Sequence, residues 1–203
     1  MTAFERVFFD IGGVLGSNGW DREQRRAASE RFGLDEDDFQ YRHEETVGAF
    51  ESGDLSLDEY LDVTVFWTAR GFAREEFTRF MFGLSVPFPA SIAIVRRLQA
   101  ADGVRMATLN NESRELNEYR IRHFGLCELF DVFFSSCWLG VRKPTRAIYE
   151  RALGMTQTDP HRTLFVDDRE QNLAPARALG MQTIHYREAK QLASELRGLG
   201  FEV

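Results

Sequence analysis

Three short apolar runs of the sequence end in side chains that can bind a cation or a phosphate group. Residues 4–9 end at Asp10, residues 104–109 at Asn110 and Asn111, and residues 163–166 at Asp167 and Asp168. Carboxylates are ligands that hard divalent cations prefer, and amides donate hydrogen bonds to anions. A turn explains a single Asp as well, and a helix cap explains Asp168. Three such ends together favour a shared site, because ligands of open parallel sheets bind at the carboxyl ends of the strands.

A lysine lies in the segment 140–144 (GVRKP), between the third and fourth of the predicted strands. Pro144 suits the first turn of a helix, so Lys143 should lie at a helix N-terminus. The helix dipole disfavours a cation there unless an anion is present, and helix N-termini are natural phosphate sites. A surface position explains one lysine on its own. Its place beside the clustered carboxylates favours a role in binding an anion.

Together these residues predict a phosphoryl-transfer site. Carboxylates on two strand ends would hold a divalent cation. The cation and Lys143 would offset the repulsion between the phosphate and Asp10, and would lower the pKa of Asp10 so that it stays ionised. An attack by Asp10 on phosphorus would divide hydrolysis into two steps through an aspartyl-phosphate. Positioning and electrostatics would then supply the catalysis.

The elements that must position these residues alternate between strands and helices. The predicted strands cover residues 4–9, 104–109, 132–134, 163–166 and 182–185, and the predicted helices 89–101, 113–124, 145–153 and 173–179. Helices should stop at Gly103, Gly125, Gly154 and Gly180. This alternation predicts an α/β fold with a doubly wound parallel sheet and a Rossmann-like core.

The segment from about residue 20 to 83 interrupts this alternation, because its pattern is helical throughout. Breaks are expected near Gly33, Gly53 and Gly71, and Ser56 precedes Glu59 by the spacing of a capping box. Its many aromatic residues can form a core of their own: Phe50, Tyr60, Phe66, Trp67, Phe72, Phe77 and Phe80. We therefore predict an α/β core of residues 1–16 and 86–203, with a helical cap domain inserted at residues 17–85.

The composition of the 203 residues is that of an ordinary globular chain, with 43% hydrophobic and 28% charged residues. A net charge of −7 argues against nucleic acid as a partner, although a small anion needs only a local positive site. Cys127 and Cys137 match no metal-ligand spacing and are expected to be free thiols. No apolar run approaches the ~20 residues of a membrane span. We expect a cytoplasmic monomer or homodimer that does not bind membranes.

At four places the chain resembles the haloacid-dehalogenase-like (HAD) hydrolases. The similar segments, in the family's order, are residues 8–15 (FFDIGGVL), Leu109-Asn110-Asn111, residues 140–144 with Ile148-Tyr149, and residues 165–168 (FVDD) with Asn172 and Gly180-Met181. The helical insert matches the family's first cap class. Residues 53–56 with Glu59 are similar to a cap segment that is common in one branch of the family. That branch is related to the sugar-phosphate phosphatases and the epoxide-hydrolase N-terminal domains.

The resemblance implies a role for each matching residue. Asp10 would be the nucleophile and a Mg²⁺ ligand, Gly12 would offer its backbone carbonyl to the metal, and Asp168 a carboxylate. Asp167 would lie behind these ligands or bind through water. Lys143 would hold both the phosphate and Asp10, and Asn110 and Asn111 would donate hydrogen bonds to the transferring group. The implied substrate is a small phosphorylated metabolite, such as a sugar phosphate.

Two positions depart from the family pattern. Most phosphatases of the family carry a second Asp, the general acid and base, where this chain has Gly12, and a Ser or Thr where it has Asn110. Loss of general acid catalysis costs about 10²–10⁴-fold in rate. Some relatives that resemble this branch also have Gly there and are similar to glucose-1-phosphate phosphatases. A good leaving group, a water or a cap residue such as His43 would have to replace the acid.

Two other functions remain open at this point. The same Asp10 would attack carbon in a 2-haloacid dehalogenase, which needs no second Asp at Gly12 but also no pair such as Asp167-Asp168. A protein that binds a phosphate compound with little turnover would also tolerate Gly12. A cap that closes over the site would place specificity residues on itself and on the loop 16–21. Trp20 and Arg42 are candidates, with a packed aromatic and a surface charge as the alternatives.

Overall fold

The computed structural model describes residues 4–101 and 104–203 and contains one sheet of five parallel strands. The strands are β1 (Arg6–Phe9), β2 (Arg105–Asn110), β3 (Val132–Ser135), β4 (Thr163–Asp167) and β5 (Gln182–His185). Their order across the sheet is β3-β2-β1-β4-β5, so β1 lies in the centre. Phe9 pairs with Thr108 on β2 and with Val166 on β4. The ends of these three strands are therefore level with one another.

Helices cover both faces of the sheet. They are α5 (Pro89–Ala100), α6 (Arg114–His123), α7 (Ser136–Leu139), α8 (Arg146–Thr156), α9 (Glu170–Ala178) and α10 (Ala189–Gly198). Phe8 packs with α8 and α9 on one face, whereas Phe9 packs with α5, α6 and α10 on the other. Successive strand residues point to opposite faces, and a fully buried Phe contributes about 1.5–3 kcal/mol. The predicted doubly wound α/β fold is confirmed.

Two of the four predicted helix ends match the structure. Gly125 and Gly180 follow α6 and α9 with positive φ, as expected for a helix stop. Gly154 was predicted to end α8 but lies inside it. The left-handed position is taken instead by Gln157, with φ 52°. Gly103 lies outside the described residues.

Four further helices lie between β1 and α5, and we call them the helical insert. They are α1 (Arg22–Phe32), α2 (Glu36–Ser52), α3 (Leu57–Thr64) and α4 (Arg74–Gly83). The Asp21 side chain caps α1, and the predicted capping box of Ser56 and Glu59 is present at the start of α3. Gly33 and Gly53 end α1 and α2 in the left-handed conformation. The helical pattern of this segment is confirmed.

The insert packs around an aromatic core of its own, and hydrogen bonds join it to the α/β core at two places. Phe50 stacks on Tyr60 at a centroid distance of 4.1 Å. Where the chain enters and leaves the insert, Ser17 N donates to Val86 O at 2.7 Å. On the far side, Ser136 Oγ of α7 donates to Glu51 O of α2 at 2.6 Å. These contacts hold α2 over the carboxyl ends of the strands.

No helix of the described chain combines the length and apolarity that crossing a bilayer requires.

Candidate active site

A cavity of about 480 Å³ lies between the carboxyl edge of the sheet and the helical insert. The sheet side of its wall includes Asp10, Gly12, Asn111 and Lys143. The insert side includes Trp20, Arg25, His43 and Glu51. Level strand ends explain why residues distant in sequence meet here.

Lys143 is the centre of the polar network on the sheet side. Its Nζ lies 2.9 Å from Asp10 Oδ1 and 2.7 Å from Asp167 Oδ2, and the side chain is almost fully buried. The backbone of Lys143 is held by the Asn111 side chain, which accepts from Lys143 N and donates to Lys143 O, both at 2.8 Å. Asn111 therefore fixes the lysine that bridges two carboxylates.

Asp10 has one carboxylate oxygen bound by the protein and one left over. Oδ1 accepts from Ile11 N at 2.8 Å and from Lys143. Within the described chain, Oδ2 has no hydrogen-bond partner. An ionised carboxylate oriented through one oxygen, with the other facing a cavity, is arranged as a nucleophile or as a metal ligand.

Three carboxylates lie close enough together to surround one cation. Oxygens of Asp10, Asp167 and Asp168 all lie within 4.8 Å of one another. Asp167 has its oxygens occupied by Lys143, by Arg169 N and by Asn172 Nδ2. Asp168 Oδ1, in contrast, is buried without a hydrogen-bond partner in the described chain. Three negative charges facing one ammonium, with oxygens left free on Asp10 and Asp168, fit a hard divalent cation.

Burial dominates the electrostatics of the site. It raises the pKa of Asp10 to about 7, although the charge of Lys143 acts in the opposite direction. Burial also disfavours the charge of Lys143, but Asp10 and Asp167 raise its pKa overall. The sequence-based expectation named a divalent cation together with Lys143, and Lys143 by itself does not offset the burial of Asp10. Desolvation of a carboxyl outweighs one counter-ion here, so full ionisation of Asp10 needs more positive charge.

The glycines after Asp10 differ in what they permit. Gly13 has φ 74°, and a Cβ there would lie 2.2 Å from Asp168 Oδ2, so only glycine fits. A Cβ on Gly12 would come no closer than 3.4 Å to any heavy atom, at Asn18 Oδ1. Gly12 is therefore not enforced by crowding, and the site lacks the acid that the family usually carries there.

Asn110 lies deeper than the other predicted site residues. Its Nδ2 donates to Asn117 Oδ1 and its Oδ1 accepts from Ser135 Oγ, both at 2.9 Å. Asn117 Nδ2 donates to Ser135 Oγ, which closes a buried ring of three side chains. The hydrogen bonds of the Asn110 side chain therefore link β2 to α6 and β3, and Asn110 does not line the cavity. Asn111 does line it.

The residues that the sequence suggested for the insert fall into two groups. Trp20 lines the cavity, and its indole N–H donates to Tyr60 Oη at 2.9 Å. Arg42 does not line the cavity. It forms an ion pair with Asp38, and its Cζ lies 4.0 Å from the centroid of the Trp67 ring. His43 lines the cavity, but burial and Arg25 lower its pKa to about 3. This lowered pKa favours the neutral imidazole at neutral pH and makes His43 a poor proton donor in the ligand-free chain.

Sequence reasoning named Trp20 and His43 but missed the other cavity residues on the insert. His43, Val47 and Glu51 recur at intervals of four along α2 and share the face that lines the cavity. This interval was visible in the sequence, but which face of α2 turns toward the sheet was not. Arg25 belongs to an Arg-Arg pair on α1 that the sequence pattern alone places on a solvated helix face, whereas Arg25 is buried and lines the cavity.

The fold and this site define an α/β protein with a cluster of three carboxylates and a buried lysine at the carboxyl edge of its sheet. The family model for haloacid dehalogenase-like hydrolases matches residues 4–180, and the chain belongs to that family. The sesquiterpene phosphatase astK of Aspergillus oryzae is 28% identical over 200 residues, which cover 98% of this chain and 97% of that protein.

Solved structures show the same fold. A predicted HAD-like family hydrolase from Porphyromonas gingivalis superposes with a TM-score of 0.77 at 20% identity, over 99% of this chain and 100% of the other. The HAD family enzyme bt-2542 from Bacteroides thetaiotaomicron, in complex with magnesium and inorganic phosphate, has a TM-score of 0.75 at 19% identity, over 91% and 94% of the two chains. At these identities the likeness is one of fold.

Proposed function

We propose that this hydrolase is a Mg²⁺-dependent phosphatase that cleaves a small organic phosphate through an aspartyl-phosphate on Asp10. The observation that carries the proposal is the free Asp10 Oδ2 beside the Lys143 bridge and the unpartnered Asp168 Oδ1. A full-length relative named as a phosphatase, and a structural neighbour crystallised with magnesium and phosphate, support it.

The residues of the centre have distinct tasks in this proposal. Asp10, Asp168 and the backbone carbonyl of Gly12 would hold Mg²⁺, which supplies positive charge against the phosphate and the buried carboxylates. Asp167 has no oxygen to spare and keeps Lys143 in place. Lys143 orients Asp10 through Oδ1 and donates its remaining N–H to the phosphate. Asp10 Oδ2 is then left to attack phosphorus.

Binding of Mg²⁺ is expected to depend on pH. Burial disfavours the ionised form of Asp10, so the metal-free chain should lose stability as the pH rises between the ordinary value of 3.8 and about 7. Metal binding requires ionised ligands, so saturating Mg²⁺ should raise the melting temperature more at about pH 8 than at about pH 5.5. Calorimetric melting with and without Mg²⁺ measures both. The variant Asp168→Asn is the control and should lose most of the Mg²⁺ effect. An equal shift at both pH values would contradict the assignment.

The leaving group still needs a proton donor, because Gly12 has no side chain. Four carboxyl groups line the cavity: Asp10, Asp21, Glu51 and Glu112. Asp21 caps α1, and Glu112 forms a buried ion pair with Arg120 at 2.9 Å. Glu51 remains, with one ion-pair contact of 3.4 Å to Arg142, and burial raises its pKa. We assign the role of general acid to Glu51 within this proposal.

The role of Glu51 can be tested through the leaving group. The variant Glu51→Gln should lower kcat for an alkyl phosphate by about 10²-fold, and should leave p-nitrophenyl phosphate nearly unchanged because its leaving group needs no proton. Adding Gly12→Asp, whose Cβ would meet no heavy atom closer than 3.4 Å, should recover much of the loss. Glu45→Gln, exposed on the same helix, is the matched control. Equal losses with both substrates would assign Glu51 to positioning instead.

A 2-haloacid dehalogenase is the second candidate, favoured by Gly12. The family's name covers such enzymes, and Asp10 would attack carbon instead of phosphorus. The three clustered carboxylates favour the phosphatase, because attack on carbon has no use for a divalent cation. A chelator separates the two, since dehalogenation should continue in its presence. Tight binding of a phosphate ester without turnover would identify a binding protein instead.

Residues 17–85 would act as the cap that closes over the site.

A further inference from the structure

The insert side of the cavity contains a buried cation that forms no direct ion pair within the described chain, although Asp21, Glu44 and Glu51 act on it from a longer distance. The Arg25 side chain on α1 is 7% exposed and lines the cavity. Its Nε donates to Gln40 Oε1 at 2.8 Å, and its Nη1 donates to Trp20 O. Both acceptors are neutral, and across residues 4–101 and 104–203 Arg25 forms no ion pair with a carboxylate. Burying a guanidinium in this way costs free energy unless an anion arrives to pair with it.

Next to Arg25, a hydrogen-bond relay fixes the proton of a neutral histidine. The indole N–H of Trp20 can only donate, so Tyr60 Oη accepts it at 2.9 Å. Tyr60 Oη then donates its own proton to His43 Nδ1, also at 2.9 Å. The proton of the imidazole must therefore lie on Nε2, which makes no hydrogen bond to any described residue. His43 lines the cavity and offers it one N–H donor.

This end of the cavity has donors in excess. Arg25 and His43 Nε2 face the cavity, and behind its wall Gln40 Nε2 is buried and finds no acceptor in the described part of the chain. Two carboxylates lie on this wall, and both are engaged: Asp21 caps α1, and Glu51 is paired with Arg142. Apolar lining is limited to Trp20, Val47, Phe50 and Pro144. A neutral hydrocarbon chain would leave the donors unpaired, whereas an anionic group would satisfy them.

We propose that the insert side of the cavity binds a second anionic group of the substrate, a carboxylate or a second phosphate, as an ion pair with Arg25 and through a hydrogen bond from His43 Nε2. The proposal rests on the proposed function, because it assumes that the first phosphate lies at Asp10. It narrows the substrate from small organic phosphates in general to those that carry an anion at both ends. The distance between the two anions is set by the cavity.

The test compares straight-chain alkyl monophosphates of increasing length. Their far end carries a hydroxyl, a carboxylate or a second phosphate. The parent should hydrolyse one of the anionic series with a kcat/KM about 100-fold above the hydroxyl series. Arg25→Gln should remove that preference by lowering kcat/KM for the anionic series about 100-fold more than for the hydroxyl series. Arg25→Lys should restore part of it, because the ammonium keeps the charge but not the fork geometry. Arg26→Gln, exposed and adjacent, should behave like the parent.

Two results would overturn the inference while leaving the phosphatase intact. One is equal hydrolysis of all three series by the parent. The other is an equal loss of kcat/KM for all three series in Arg25→Gln, which would indicate a structural role of Arg25. If no compound is hydrolysed, the proposed function fails, and calorimetric titration of the same compounds then decides the inference alone. A binding preference for anionic ends that Arg25→Gln loses would support it, and its absence would refute it. If Arg25→Gln does not fold, Arg25→Lys provides the comparison.

Discussion

Replacing Asp10 by Asn should lower kcat for phosphate-ester hydrolysis by about 10⁴-fold or more. The amide keeps the shape of the carboxylate and can still occupy the place beside Ile11 N and Lys143, but its nitrogen cannot form an acyl phosphate. Steady-state kinetics with saturating Mg²⁺ measure the loss. Asp10→Ala guards against slow deamidation of the new Asn.

The matched control for this prediction is Asp37→Asn, at an exposed position in the first turn of α2. It makes the same chemical change far from the cavity wall and should retain the parent's rate. A parent-like rate in Asp10→Asn would remove the nucleophile from the proposal. A loss of folding in Asp10→Asn would show as an altered melting profile and is separable from a loss of chemistry.

Replacing Lys143 by Met should affect both activity and stability. Met fills much of the volume but leaves Asp10, Asp167 and Asp168 without their ammonium. Breaking a buried ion pair in this way costs about 3–5 kcal/mol of the free energy of unfolding. The cost should be largest at about pH 8 and fall towards about pH 5, because protonation of the carboxylates removes their repulsion. Denaturant unfolding at the two pH values measures it.

The sequence supplies the control for this variant. Lys143 and Lys190 are the two lysines of the chain. Lys190 is exposed on α10, so Lys190→Met should change the stability by less than about 0.5 kcal/mol. Added Mg²⁺ should stabilise Lys143→Met more than the parent, because the cation would replace part of the missing charge. A pH-independent loss would mean that packing, and not charge, explains the effect of Lys143→Met.

The sheet and the place of the site were predictable because they depend on patterns along the chain. Apolar runs ending in Asp10 and Asp167 mark buried strands and their carboxyl ends, and alternation with helices makes the strands parallel. The predicted end of α8 at Gly154 was wrong, because glycine permits the left-handed conformation but does not require it. The helix continues to Thr156, and Gln157 adopts that conformation. Helix α10 follows β5 and was not predicted.

The insert side of the site was not predictable, because it depends on how four helices pack. The spacing of His43 and Glu51 defines a face of α2, but the direction of that face depends on tertiary contacts such as the hydrogen bond from Ser136 Oγ of α7 to Glu51 O. The burial of Arg25, and the tautomer of His43 fixed through Tyr60, likewise depend on tertiary neighbours. The raised pKa of Asp10 arises from desolvation, which has no local signature in sequence.

The most direct test of the central claim is a crystal structure of the protein with Mg²⁺ and beryllofluoride, a mimic of the aspartyl-phosphate. We expect beryllium bonded to Asp10 Oδ2, Lys143 Nζ in contact with a fluoride, and Mg²⁺ held by Asp10, the Gly12 carbonyl and Asp168. Beryllofluoride bound at another residue, or a centre at Asp10 that takes up neither beryllofluoride nor Mg²⁺, would contradict the account.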